Sequence, residues 1–308
     1  MLWLLFVISS YLIYAAVVLV DKYLLSGAKM HPAAFTFYIG ALGMLAFVLV
    51  PFVGFVIPSP LQLFLSIGAG ASLVYAIFWF AKGVQKYEPS RIIPAMGGFS
   101  SILVFLFLLA TTKGETLLSV PQFASLGLLI MGTVLITYEK GKGVSLGSLK
   151  IAFINATFFA LAFVMAKYIY LSQPFWSGFI LMRLGGLLVA LLFLLWFKEV
   201  RHEVLWGKET KRLPFWENPR VASIFVVSQG AGAGAEILRN LGIFLVPVAL
   251  LPFINALLGI QYVAILVFAA LLSWKFPHVL REHVSKDTVS QKVLAILLMA
   301  LGLGLLTV

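Results

Sequence analysis

Ten apolar runs, each about 17 to 25 residues long, occupy most of this 308-residue chain. They fall near residues 2–20, 33–57, 61–80, 92–110, 121–138, 149–169, 175–197, 221–245, 248–273 and 289–307. A run of that length crosses the roughly 30 Å hydrocarbon core of a bilayer as a helix, which satisfies its own backbone where water cannot. The expected fold class is an all-α integral membrane protein with ten transmembrane helices. A composition of 62% hydrophobic and 11% charged residues fits no soluble domain. The opening MLWLLFVISSYL has no basic residue ahead of its apolar stretch, and Lys22 follows it, so the expectation is a retained first span and not a cleaved signal peptide.

The joins between runs are mostly short and marked by Pro, Gly or charge (LSGAKMHP, PSP, QKYEPS, TKGE, EKGKG), and the long charged exception is 198–220. The two halves of the chain echo each other. Pro89 and Pro94 match Pro247 and Pro252 at a separation of 158 (247 − 89, 252 − 94), and Lys22-Tyr23 matches Lys167-Tyr168 at 145 (167 − 22). The two offsets differ by the insertion expected from the long loop after span seven. Five spans repeated twice, over 1–143 and 144–308, must invert the second copy across the membrane, because each repeat has an odd number of crossings. Such a plan places a binding site near the midplane, between the repeats.

A net charge of +11 suggests a nucleic-acid partner only until its distribution is seen. The basic residues sit in short joins between apolar runs, where they set topology, so no nucleic acid is expected. Joins after odd-numbered spans carry 18 Lys and Arg against 2 in the alternate set, which puts the first set in the cytoplasm and both termini outside. The expected location is a cell membrane, plasma or inner.

No enzyme pattern is present. There is no HExxH, GxSxG or Walker loop, and with no cysteine there is no thiolate and no disulfide framework. His31, His202, His278 and His283 all lie in predicted loops, and an exposed charged loop explains His278, Glu282 and His283 better than a metal site does. No enzyme activity, cofactor or metal is expected.

Chemistry therefore rests on the few polar groups inside spans. The stretch 228–255, SQGAGAGAEILRNLGIFLVPVALLPFIN, carries Glu236, Arg239 and Asn240 next to a Gly/Ala run that would let another backbone come close. Ionisable groups at that depth face a cavity or pair with one another. Both readings stand here: the wall of a polar cavity, or a Glu236/Arg239 couple one turn apart that fastens helices. Arg183, about nine residues into span seven, is too deep to reach the interface and needs a counter-ion, for which Glu236 is the nearest candidate. Lys167 lies near the end of span six, and Asn255 joins Asn240 as a ligand contact or as helix-to-helix glue. Tyr75 and Trp79, one turn apart, are candidate walls of an apolar pocket. Substrate-binding candidates are thus Arg183, Glu236, Arg239, Asn240, Asn255, Lys167, Tyr75 and Trp79, with Glu236 the candidate for proton coupling.

The joined halves, the YEPSR join, TKGETLLSVPQFASLGLLIMGTVLI and VPVALLPFIN resemble the EamA-like family of the drug/metabolite transporter superfamily. The resemblance covers nearly the whole chain and includes Gly114-Glu115 at the opening of span five. It implies ten helices as two inverted five-helix repeats, a central cavity, and export or exchange of small metabolites such as amino acids. Two features depart from the family pattern. The second repeat has FPHVLREHVSKD in place of Gly-Glu, and the family's usual cytoplasmic termini oppose the charge bias. The function expected is a secondary active transporter, with a non-transporting scaffold or lipid-handling protein as the alternative. Its partners would be a small-molecule substrate and the bilayer, as a monomer or homodimer.

Overall fold

The computed structural model describes residues 2–111, 120–139, 143–205, 218–247, 251, 254, 257–275 and 286–305. Regular structure among them is helical, apart from an antiparallel ladder of Tyr138–Glu139 with Gly143–Val144. Helix α1 (Leu2–Lys22) runs on into a π-helical turn, Tyr23–Gly27. The second predicted span is broken into α2 (Pro32–Leu42), a 3₁₀ segment (Gly43–Leu49) and α3 (Val50–Val53), after which Gly54 takes the left-handed φ of 67° that closes a helix. Then come α4 (Pro60–Lys86), α5 (Pro89–Thr111), α6 (Val120–Thr137), α7 (Leu146–Ser172) and α8 (Phe175–Trp196). The last four helices are α9 (Lys198–Leu205), α10 (Pro219–Leu245), α11 (Leu258–Lys275) and α12 (Lys286–Leu305).

Local chemistry explains several starts. Ser59 forms a capping box with Gln62, and His31 and Asn218 accept hydrogen bonds from the first turns of α2 and α10. Each cap precedes a proline, whose missing N–H is no loss in a first turn.

Seven helical segments among the described residues are long and apolar enough to cross a membrane: α1 with its π turn, α2 through α3, α4, α5, α7, α8 and α10. Helices α6, α11 and α12, of 18, 18 and 20 residues, occupy the other three predicted spans. Large apolar side chains such as Phe52, Ile57, Leu61 and Phe64 point outward, as a lipid-facing surface requires. The chain is an all-α, multi-pass membrane protein.

Helix α1 packs along α10, α4 along α7 and α8, α5 along α7, and α6 along α12. The α4–α8 crossing is set by two glycines. A Cβ on Gly70 would lie 1.7 Å from the Met182 carbonyl oxygen, and one on Gly185 would lie 2.0 Å from that of Ile67. Only glycine permits this approach, which presses the Met182–Arg183 face of α8 against α4.

Two lysines clamp helix ends. Lys22 Nζ donates to the carbonyls of Val84, Gln85 and Tyr87 at the end of α4, and Lys167 Nζ to those of Ile243, Phe244 and Val246 at the end of α10. Both ammonium groups satisfy carbonyls left open where a helix stops.

Three sequence expectations change. The charged stretch 198–220 begins not as loop but as α9, whose Val200 is fully buried against the α4–α8 aromatic cluster. The Gly/Ala run of α10 does not host a close backbone approach: Cβ atoms on Gly230 and Gly234 would meet nothing within 4 Å, and one on Gly232 would meet only Val17 at an ordinary 3.7 Å. His31 belongs to a helix cap and not to an open loop. Gly114, Glu115, Lys208, Pro252, Asn255, His278, Glu282 and His283 lie outside the described residues.

Candidate functional site

Four of the eight candidates come together, with Arg183, Arg239 and Asn240 converging on the Glu236 carboxylate. Arg239 Nη2 donates to Glu236 Oε2 at 2.6 Å, and Arg183 Nη2 reaches Oε1 at 3.3 Å. Asn240 Nδ2 donates to Oε1 at 2.9 Å and to the Glu236 backbone carbonyl at 2.8 Å, while the Tyr14 hydroxyl donates to Oε2. Asn240 in turn accepts from Tyr170 at 2.8 Å. Helical spacing produces most of this: i+3 and i+4 from Glu236 are Arg239 and Asn240, on the same face one turn on. The remaining donors come from α1, α7 and α8.

The two guanidiniums are also held against rings. Arg183 lies 4.2 Å from the centroid of Phe179, and Arg239 lies 4.9 Å from that of Phe159 and 5.6 Å from that of Tyr14. Such faces stabilise a desolvated cation without cancelling its charge. One carboxylate against two guanidiniums leaves an excess of one positive charge. Arg239 Nε is buried without a hydrogen-bond partner among the described residues.

Beside this cluster lies a cavity of about 20 Å³, walled by Ala69 and Leu73 of α4, Ala162 and Ala166 of α7, Met182 of α8, and by Arg183, Glu236, Arg239 and Asn240. That volume holds about one water molecule. Glu236 and Arg239 are paired, and together with Arg183 and Asn240 they form the polar side of this otherwise apolar cavity.

The other candidates are elsewhere. Lys167 is occupied by the carbonyls at the end of α10. Tyr75 stacks on Phe158 with centroids 5.5 Å apart, and Trp79 carries the Lys82 ammonium 4.7 Å above its ring. Both pack with Phe78 and Phe193, in the α4–α8–α9 cluster and not in the wall of the cavity. Asn255 is outside the described residues. Tyr170 and the ring partners Phe159 and Phe179 were missed, since an aromatic in an apolar span looks the same in a core as over a cation. Tyr14 carries a clearer signal, since a phenol mid-span needs a polar partner nearby.

No family model matches this sequence, and no curated protein matches it. Solved structures do. One described only as "Crystal structure of protein" superposes with a TM-score of 0.55 at 15% identity, covering 96% of this chain and 95% of its own. Identity at that level carries the fold alone.

Proposed function

We propose that the chain is a secondary active transporter, an exporter or exchanger of small metabolites such as amino acids or related amphipathic solutes. It would belong to the EamA-like type of drug/metabolite transporter, with ten spans in two inverted five-helix repeats. The observation that carries this reading is the Glu236 cluster: two guanidiniums on one carboxylate, an Arg239 Nε without a hydrogen-bond partner among the described residues, and a cavity lined in part by alanines between four helices. The excess positive charge attracts a carboxylate, and Glu236 offers an acceptor to an ammonium group.

The lysine clamps support the repeat. Lys22 and Lys167 are 145 positions apart (167 − 22), and the three carbonyls they bind correspond at a common offset of 159 (243 − 84, 244 − 85, 246 − 87). The α1–α10 and α4–α7 pairings exchange under the same relation. Rocking the halves about the Glu236 cluster would open the cavity to each side in turn. In the proposed topology both termini are extracytoplasmic. A single cysteine at Lys208 is then expected to resist an impermeant maleimide in intact cells, and ready labelling would reverse the orientation.

A second reading, a non-transporting scaffold or lipid-handling protein, draws on the small cavity and the direct Glu236–Arg239 pair. Accessibility separates the two. In this cysteine-free chain, Ala166→Cys is expected to react with a charged, membrane-impermeant thiosulfonate, because a transporter exposes its cavity during the cycle. A cysteine there that stays inert while the protein remains folded supports the scaffold.

A further inference from the structure

Asp21 is the buried carboxylate that the Glu236 cluster does not use. It is 4% exposed, one residue before the end of α1. Its neighbours are neutral: Gln229 Nε2 donates to Oδ1 at 3.2 Å, and the Ser228 hydroxyl lies beside it. No ion pair reaches it among the described residues.

The buried charges on the helices packed against α1 are engaged elsewhere, and Arg220, in the first turn of α10, is exposed. Lys22 binds the α4 end; on α10, Glu236 and Arg239 hold each other. On α4, Lys82 lies over Phe78 and Trp79, and Lys86 lies over Tyr87; on α5, Arg91 pairs with Glu88. Helix α11 brings no charged residue before Lys275, and its titratable Tyr262 faces Gly97 of α5. A carboxylate so placed is costly to keep ionised, and binding a proton removes that cost.

Register links the position to the solute cluster. Tyr14 of α1 meets Glu236 of α10; seven residues further along α1, Asp21 meets Gln229, seven residues back along α10. The two carboxylates therefore share one antiparallel seam, roughly 10 Å apart along it. At the lysine-clamp offset of 145 (166 − 21), the repeat counterpart of Asp21 is Ala166, which lines the cavity, so the group exists on one seam only. Glu236 is a poor proton carrier by comparison, because two guanidiniums, a phenol and an amide already occupy its oxygens.

We propose that Asp21 is a proton-binding site on the α1–α10 seam, and that it, and not Glu236, carries the proton of a coupled cycle. Its role in coupling rests on the transporter reading; the proton site itself does not. Protonation forms one O–H bond, with the proton taken from and returned to water as the seam opens. A single carboxylate with one amide and one hydroxyl offers too few oxygens for sodium, which favours the proton.

The test is acid-minus-alkaline infrared difference spectroscopy of the purified full-length protein in nanodiscs. The wild type is expected to gain a carboxylic-acid C=O band on acidification that Asp21→Asn lacks and Glu236→Gln retains. Gln229→Leu is expected to shift that band and its midpoint, which keeps the assignment testable if Asp21→Asn does not fold. No band in the wild type, or an undiminished band in Asp21→Asn, overturns the proposal. Replacing KCl with NaCl at fixed pH is expected to change nothing; a band removed by sodium would move the site to a metal cation and overturn the proton assignment. A band lost in Asp21→Asn while no solute stabilises the protein would leave the proton site standing and the transporter reading failed, whereas a stabilising solute without the band would mean the reverse.

Discussion

Among the described residues, two clusters share a charge formula, one carboxylate between two cations with an arginine three residues on, and differ in how the cations are otherwise satisfied. At the start of α5, Glu88 pairs with Arg91 three residues on and with Lys292 of α12, at 3.0 and 2.8 Å. At mid-span of α10, Glu236 pairs with Arg239 three residues on and with Arg183 of α8. In the first cluster the cations are further satisfied: Arg91 Nη1 donates to the Ile136 and Tyr138 carbonyls at the end of α6, and Lys292 Nζ to the Ser90 hydroxyl. In the second they lie against aromatic faces beside a cavity, and Arg239 Nε has no hydrogen-bond partner among the described residues. Counting charges does not distinguish a staple from a site. What distinguishes them is whether each buried donor has somewhere to go.

The largest expected difference follows from removing the two carboxylates. Glu236→Gln leaves two largely buried guanidiniums without their carboxylate acceptor and is expected to cost about 3–5 kcal/mol in thermal or denaturant unfolding. Glu88→Gln, at a position of similar burial but where the cations keep their carbonyl and hydroxyl acceptors, is expected to cost less, about 1–3 kcal/mol. Equal losses would mean that both clusters are staples.

Glycines sharpen the contrast at the next scale. Gly185→Ala forces α8 off α4 and displaces Arg183, with an expected loss of about 1–3 kcal/mol. Gly230→Ala enters open space and is expected to be neutral or stabilising by roughly 0.5–1 kcal/mol. Matching melting temperatures for the two variants would refute the placement of the close approach on the α4–α8 crossing.

The smallest effect lies outside both clusters. His31 Nδ1 accepts from the Ala33 amide, and burial lowers its pKa from the ordinary 6.5 despite the opposing pull of Glu199 and Glu203. The unfolded chain therefore takes up a proton at higher pH than the folded one. The stability this group contributes is present above the unfolded value and declines as pH falls below it toward the lowered folded value. His31→Ala is expected to lose about 1 kcal/mol at neutral pH and to flatten the melting temperature across that window. An unchanged slope would remove the imidazole from the cap.

The membrane explains how much of this was legible. Apolar runs had to be long enough to cross, so the spans were readable, and Arg183 nine residues deep announced its need for a counter-ion. The break in the second span was not readable, because α2, the 3₁₀ segment and α3 are all apolar and differ only in backbone winding. The Gly/Ala run of α10 drew attention, yet the close contact belongs to Gly70 and Gly185, which are far apart in sequence and meaningful only as a pair. Tyr75 and Trp79 had the spacing of a pocket wall, which is also the spacing of a packed helix face. Asp21 next to Lys22 looks like a pair at a span end, but the lysine turns to α4 and the carboxylate to α10.

The central claim is that the Glu236 cluster is a solute site, and a thermal-shift screen tests it most directly. The purified protein would be melted with amino acids, nucleosides, sugars, sugar phosphates and cationic drugs, alongside Arg183→Ala and Arg91→Ala. A ligand at 100 times its dissociation constant adds roughly 2.7 kcal/mol of stability. The expected result is stabilisation by one anionic or zwitterionic class that Arg183→Ala abolishes and Arg91→Ala, though less stable at baseline, retains. Stabilisation by no class, or stabilisation that survives Arg183→Ala, would contradict it.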